Sequence, residues 1–149
     1  MDIGSGKGYP ESALSNFAGH RFTIDEIVCN SMEGFLQSLK FSNVDMQVHI
    51  CSLVGRAAKF AGAKKNWKTK GILYWRGNNI DRFSNEYQTL LDRAFTEMFK
   101  QSEGFRNALL ASNNATLTHS IGKSDAKDTV LTRAEFCSRL TKLRQYGNI

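Results

Sequence analysis

The chain has 149 residues, with 20 Lys and Arg against 14 Asp and Glu, for a formal net charge of +6. That length fits one domain burying roughly two thirds of its unfolded surface, so folding requires neither disulfides nor a structural metal. The basic excess favours anionic partners, such as nucleotides, nucleic acid or phosphorylated metabolites, and says nothing about fold.

Cys29, Cys51 and Cys137 lie far apart without CxxC spacing, which suits a reducing compartment. There is no apolar leader and no run of membrane-spanning length, so a soluble cytoplasmic protein is expected. The single proline, Pro10, precedes the body of the chain, and no linker divides that body.

"GSGKG" at 4–8 looks like a phosphate loop but lacks the earlier glycine, the Ser or Thr after lysine, and a preceding strand. Residues 1–11 are therefore expected to be a flexible N-terminal segment. "HRFTIDEIVCN" reads as a short hairpin around Asp25 and Glu26, with Phe22 and Ile24 on one face. Asn30 followed by Glu33 reads as a capping box opening a helix whose buried stripe is Met32, Phe35, Leu36 and Leu39. A second helix is expected over 44–60, with Val44, Val48, Cys51, Val54 and Ala58 as its apolar positions.

Residues 55–76 carry seven basic side chains and no acidic one, interleaved with Phe60, Trp67, Tyr74 and Trp75. That composition fits a phosphate or nucleic-acid face, and equally a solvated loop with its tryptophans in the core. Ser84 caps the strongest helix, whose inner face is Tyr87, Leu90, Leu91, Ala94, Phe95 and Met98. Ser102 caps a shorter helix through Leu110. "TLTHSI" alternates like a strand with Leu117, His119 and Ile121 on one face, and Thr132 with Glu135 opens a last helix burying Phe136, Leu140 and Leu143. The expected fold class is α+β, a predominantly helical single domain with a few short strands.

Glu33, Gln37 and Lys40 are spaced four and then three residues apart and share one helix face. Glu33 is a candidate general acid or base. Lys40 is a candidate phosphate cation or, if desolvated, a Schiff-base nucleophile. Gln37 offers a donor and an acceptor to a ribose or a base edge. The same spacing fits a solvated face on which Glu33 only caps the helix, and most polar helix stripes face water. His119 on an apolar face fits a core histidine as well as a functional one. The scattered histidines and cysteines have no metal-ligand spacing, so no metal is assigned.

"ALSNF" at 13–17, "SMEGFLQSLKF" at 31–41 and "GRAAKFAG" at 55–62 together resemble the NADAR, or YbiA-like, family, in order and spacing over about residues 12–112. The second element is the specific one. The chain looks most like the short, phage-encoded members, which would place it in the host cytoplasm. The resemblance implies a YbiA-like fold, no cofactor, and hydrolysis of an N-glycosidic bond. The substrate would be ADP-ribosylated guanine in DNA or nucleotides, or a phosphoribosylamino-pyrimidine intermediate of riboflavin synthesis. It makes Glu33 and Lys40 catalytic, and Ser15, Asn16, Phe17, Gln37, Arg56, Lys59, Trp75 and His119 substrate-binding. The family's Asp-x-x-Trp-Gly element is absent, leaving His119, Asp125 or Asp128 to take its place. That absence also keeps open a non-catalytic module binding ADP-ribose or NAD-derived nucleotides.

Overall fold

Tyr87, Leu90, Leu91, Ala94, Phe95 and Met98 are all buried, on the inner face of the long helix α5 (Asn85–Gln101). The computed structural model describes residues 1–149. Before α5 come a one-turn helix α1 (Glu11–Leu14), the strands β1 (Phe22–Ile24) and β2 (Ile27–Cys29), and three helices, α2 (Met32–Ser38), α3 (Val44–Cys51) and α4 (Gly55–Ala63). The strands β3 (Ile72–Trp75) and β4 (Asn78–Asp81) lie between α4 and α5, and α6 (Glu103–Ala111) and α7 (Arg133–Tyr146) come after α5. The result is a mainly helical α/β single domain with two separate antiparallel hairpins.

Both hairpins turn through two residues at positive φ, Asp25–Glu26 and Arg76–Gly77, the geometry that matches strand twist. The first hairpin buries Phe22 and Ile24, as its sequence pattern requires. The second lies within and beyond the stretch read as a basic face. Ser84, Ser102 and Thr132 cap α5, α6 and α7, and Thr132 with Glu135 closes a full capping box.

The start of α2 differs from expectation. Ser31, not Asn30, is the cap and accepts from Gly34 N at 3.0 Å. Asn30 instead donates its N–H to Cys51 O and its side-chain amide to Ser52 O, both at 2.8 Å. Ser31 Oγ donates to Leu53 O at 2.8 Å. These carbonyls at and just beyond the end of α3 would otherwise lack partners. Gly34 packs against the same junction, where an added Cβ would stand 2.8 Å from both Ile50 O and Leu53 O.

The helix expected over 44–60 is two helices. The carbonyls at the end of α3 turn toward Asn30 and Ser31, and Gly55 opens α4 at a φ of 55°. Cys51 and Ala58 are buried as expected, but Val44, Val48 and Val54 are exposed. In their place α3 buries Gln47, Ile50 and Cys51. Gln47 ties three segments: its amide donates to Ser38 O at 3.1 Å and Tyr74 O at 2.8 Å, and its oxygen accepts from Arg76 N at 3.1 Å.

The strand expected at 116–121 is only an isolated bridge between Asp2 and Thr118, with Ile121 74% exposed. Residues 1–11, read as a flexible segment, are anchored at their start. Ile3 is buried and donates its N–H to Thr118 O at 2.8 Å, and Asp2 accepts from Ser120 N and Oγ.

Arg82 is buried at 1% exposure. Its guanidinium is bidentate on Glu135, at 2.7 and 3.0 Å, and its Nε donates to Thr129 O at 2.9 Å. Tyr87 Oη donates to Val130 O, so the network pins residues 129–130 to the helical body. Burial pushes the Glu135 carboxyl up, but hydrogen bonds from Arg82, Gln88 and Thr132 N–H outweigh it and hold it below the usual carboxylate range.

A depressed carboxyl adds stability above its unfolded pKa and loses it as pH falls through the folded value. Glu135→Gln is therefore expected to cost about 3–5 kcal/mol in urea denaturation at pH 7, because it strands the buried Arg82. The gap to wild type should narrow in acid; a pH-independent gap would contradict the linkage. Gly34→Ala is expected to cost at least ~1–3 kcal/mol by overpacking. An unchanged unfolding midpoint would rule out the close approach of α2 to the end of α3.

Candidate functional site

The apolar side of α2 faces the core, which turns Glu33, Gln37 and Lys40 toward a cleft of about 640 Å³. One wall is Lys59 on α4 and the loop after it, from Ala63 to Lys68. The other is the long connection between α6 and α7, contributing His119, Ile121 to Lys123 and Asp128 to Leu131. Ser15, Asn16 and Phe17 also border the space, held to α2 by a hydrogen bond from Glu33 N to Asn16 O at 3.0 Å.

Glu33 does not cap the helix. Its Oε2 accepts from Gln37 Nε2 at 2.7 Å. Burial pushes its carboxyl above the usual range, against that hydrogen bond and the pull of Lys40, Lys59 and His119. Lys40 shifts the opposite way. Burial pushes its amine below the usual range, Glu33 opposes this, and Lys68, Lys123 and Lys59 add to it. The two side chains do not close into an ion pair. One cleft therefore holds a carboxyl biased toward its acid and an amine biased toward its free base, the pairing of environments that acid–base and nucleophilic chemistry uses.

Gln37 is 7% exposed, and its Oε1 has no partner. Asn16 Oδ1 is a second unpartnered buried acceptor bordering the same cleft. Buried acceptors are nearly always satisfied, so these two are exceptions in the folded chain. Gly62 makes the room. A Cβ there would lie 2.0 Å from Gln37 Oε1 and 3.2 Å from Lys40 Cδ. Lys40 Nζ leans toward Gly62 O at 3.4 Å. Around the mouth, Lys59, Lys64, Lys65, Lys68 and Lys123 form an exposed cationic rim.

Eight of the ten expected site residues border this space; Arg56 and Trp75 do not. Trp75 points inward from β3, packs edge-on against Phe35 with ring centroids 5.0 Å apart, and donates Nε1–H to Asp25 at 2.8 Å. The tryptophan at the cleft is Trp67. Arg56 is exposed in the first turn of α4, away from the cleft. Asp128 borders it, whereas Asp125 pairs with Lys127 outside. Lys68, from the basic stretch read as a phosphate face, lines the cleft; Asn66, Lys123 and Thr129 also line it and were not expected there, because their approach to α2 is tertiary and leaves no local signal. A second groove, also about 640 Å³, lies between the first hairpin and α5. It mixes Asp25, Glu26, Asp92 and Glu97 with Arg93 and Lys100 and holds none of the expected site residues.

A family model described as Bacteriophage protein GP30.3 matches residues 8–145. The chain belongs to this family. One relative, the uncharacterized 17.1 kDa protein in the Gp30-rIII intergenic region of Enterobacteria phage T4, is 41% identical over 146 residues, covering 97% of this chain and 96% of the relative. The NMR structure of the E. coli protein YbiA resembles this GP30.3-family chain with a TM-score of 0.64, covering 97% of it and 82% of YbiA at 16% identity. That likeness establishes a YbiA-like fold for this phage-family chain. No helix of the GP30.3-family fold is long and apolar enough to cross a membrane.

A carboxyl whose folded pKa is raised loses stability as pH climbs from its unfolded value toward the folded one. Glu33→Gln, which keeps an acceptor for Gln37, is therefore expected to raise the melting temperature at pH 7. The gain should fade toward about pH 4, near the unfolded carboxylate value. Destabilisation at both pH values would contradict the burial of Glu33. A Gly→Ala change inside a helix ordinarily stabilises by roughly 0.5–1 kcal/mol. Gly62→Ala is expected to reverse that sign, losing about 1–3 kcal/mol as Gln37 and Lys40 are displaced, and a stabilised variant would show the space is not shared.

Proposed function

We propose that this protein is an N-glycosidase that hydrolyses the bond between a ribose and a base, removing ADP-ribose from modified guanine in DNA or nucleotides. The observation that carries this reading is one cationic cleft that holds Glu33 of α2 and Lys40, two residues past the end of that helix, with burial shifting the carboxyl up and the amine down. The YbiA-like fold and the sequence resemblance agree with it.

An N-glycoside breaks through an oxocarbenium-like transition state, which calls for negative charge near C1 and a proton for the departing base. Two routes use the same residues. In one, Glu33 takes the proton of an attacking water. In the other, Lys40 Nζ attacks C1, the base leaves with the bonding electrons, the ring opens to a Schiff base, and water releases the sugar from the amine. The lowered Lys40 amine favours the second route, because only the free base is nucleophilic. Gln37 Oε1 and Asn16 Oδ1 would accept from ribose hydroxyls or the base. The lysine rim would hold the diphosphate, and Phe17 or Trp67 would lie against the base. A phosphoribosylamino-pyrimidine would meet the same groups.

The missing Asp-x-x-Trp-Gly element favours a second reading, a module that binds ADP-ribose without cleaving it. An oligonucleotide bearing ADP-ribosylated guanine separates the two. Wild type is expected to release the unmodified strand, and Glu33→Ala to slow release by roughly 10²–10⁴-fold. Retention of the intact ligand by wild type would leave the binding module. Borohydride added during turnover should trap a sugar adduct that Lys40→Ala abolishes; turnover without any adduct would favour the water route.

A further inference from the structure

We propose that His119 is the acid of the cleft, delivering its Nε2 proton to the departing base, and that the N-terminal segment holds it in position for this. The inference rests on the N-glycosidase reading.

The geometry of the ring decides its tautomer. His119 Nδ1 lies 2.9 Å from Ile3 O, an atom that can only accept, so Nδ1 carries a proton in both charge states. Nε2 has no protein partner, and the residue borders the cleft, so this nitrogen is the one left for a ligand. The ring stands edge-on to Phe136, with centroids 5.2 Å apart and an interplanar angle of 80°, which fixes its plane.

The backbone on either side is clamped by one carboxylate. Asp2 accepts from Thr118 Oγ1 at 3.1 Å, Ser120 N at 2.8 Å and Ser120 Oγ at 2.6 Å. Ile3 N and Thr118 N complete a short bridge between the two segments. Three successive residues, 118 to 120, are thus held by residues 1 to 3.

His119 lies close enough to Glu33 for its charge to act on that carboxyl. The other charged groups facing this space are Lys40 just past α2, Lys59 on α4, Lys64, Lys65 and Lys68 beyond it, and Lys123 and Asp128 on the histidine's own connection. Arg133, at the head of α7, donates to Gly122 O behind it.

In the proposed step the C1–N bond breaks and its electron pair goes to the base nitrogen, which takes the Nε2 proton of the imidazolium. The histidine is left as the Nδ1–H tautomer that Ile3 O already holds. Water supplies the hydroxyl to C1, directly or by releasing Lys40, and its remaining proton returns to the histidine through solvent.

The test compares two leaving groups. ADP-ribose release from the modified guanine of an oligonucleotide needs a proton on the departing guanine nitrogen, whereas a 4-nitrophenyl riboside 5-phosphate expels a stable anion. His119→Gln is expected to lower kcat for ADP-ribose release by roughly 10²–10⁴-fold with little change in KM, and to leave nitrophenol release within a few fold. Wild type should show an alkaline limb in its pH profile for ADP-ribose release and none for nitrophenol, a readout that needs no variant to fold. Equal losses on both substrates, or identical profiles, would overturn the role of His119 and leave the glycosidase reading standing. A wild type inactive on both substrates would overturn the two together.

Discussion

The structure depends on how the start of α2 docks on the end of α3. Asn30 and Ser31 give three donors to the carbonyls of Cys51, Ser52 and Leu53, and Gly34 lets the two backbones approach. Helix ends leave backbone groups that must find partners, and this junction satisfies several at once. It also fixes the rotation of α2 about its axis. With Met32, Phe35, Leu36 and Leu39 committed to the core, Glu33, Gln37 and Lys40 have only the cleft to face. The position of Gln47, bridging Ser38, Tyr74 and Arg76, locks the other end of the helix.

The cleft is built against the grain of stability. Burial leaves a carboxyl biased toward its acid, an amine biased toward its free base, and two buried acceptors without donors. Each is costly in a folded chain with no ligand, and such groups cluster where chemistry or binding recovers the cost. The surroundings are correspondingly rigid. Arg82, Glu135 and Tyr87 hold the 129–130 wall through buried bonds, while Asp2 holds the 118–120 wall. Both segments belong to the wall formed by the long connection between α6 and α7, which has almost no regular structure of its own.

Much of this was legible in the sequence where one physical rule acts alone. The apolar repeat of α5, the buried stripe of α2 and the Thr132–Glu135 capping box each arise from local spacing. What stayed hidden was decided by polar burial and by distance along the chain. Hydropathy cannot foresee that Gln47 and Arg82 sit in the interior while Val44 and Val48 face water. Nor can spacing show that Asn30 serves α3 rather than α2. The stripe was readable as a pocket only through the family resemblance, and its partners Lys68 and Lys123 reach it only by tertiary folding. Trp67 and Trp75 lie in the same basic stretch and both are buried; Trp75, on β3, packs against Phe35, whereas Trp67, in the loop after α4, also borders the cleft.

Whether the cleft over α2 is where a ribosylated nucleotide binds is tested most directly by titrating isotope-labelled protein with ADP-ribose and recording its amide NMR signals. Saturable shifts confined to residues 33–40, Gly62 and the 119–123 segment are expected. Shifts concentrated instead in the groove around Asp25, Arg93 and Glu97, with the α2 signals unmoved, would contradict that assignment.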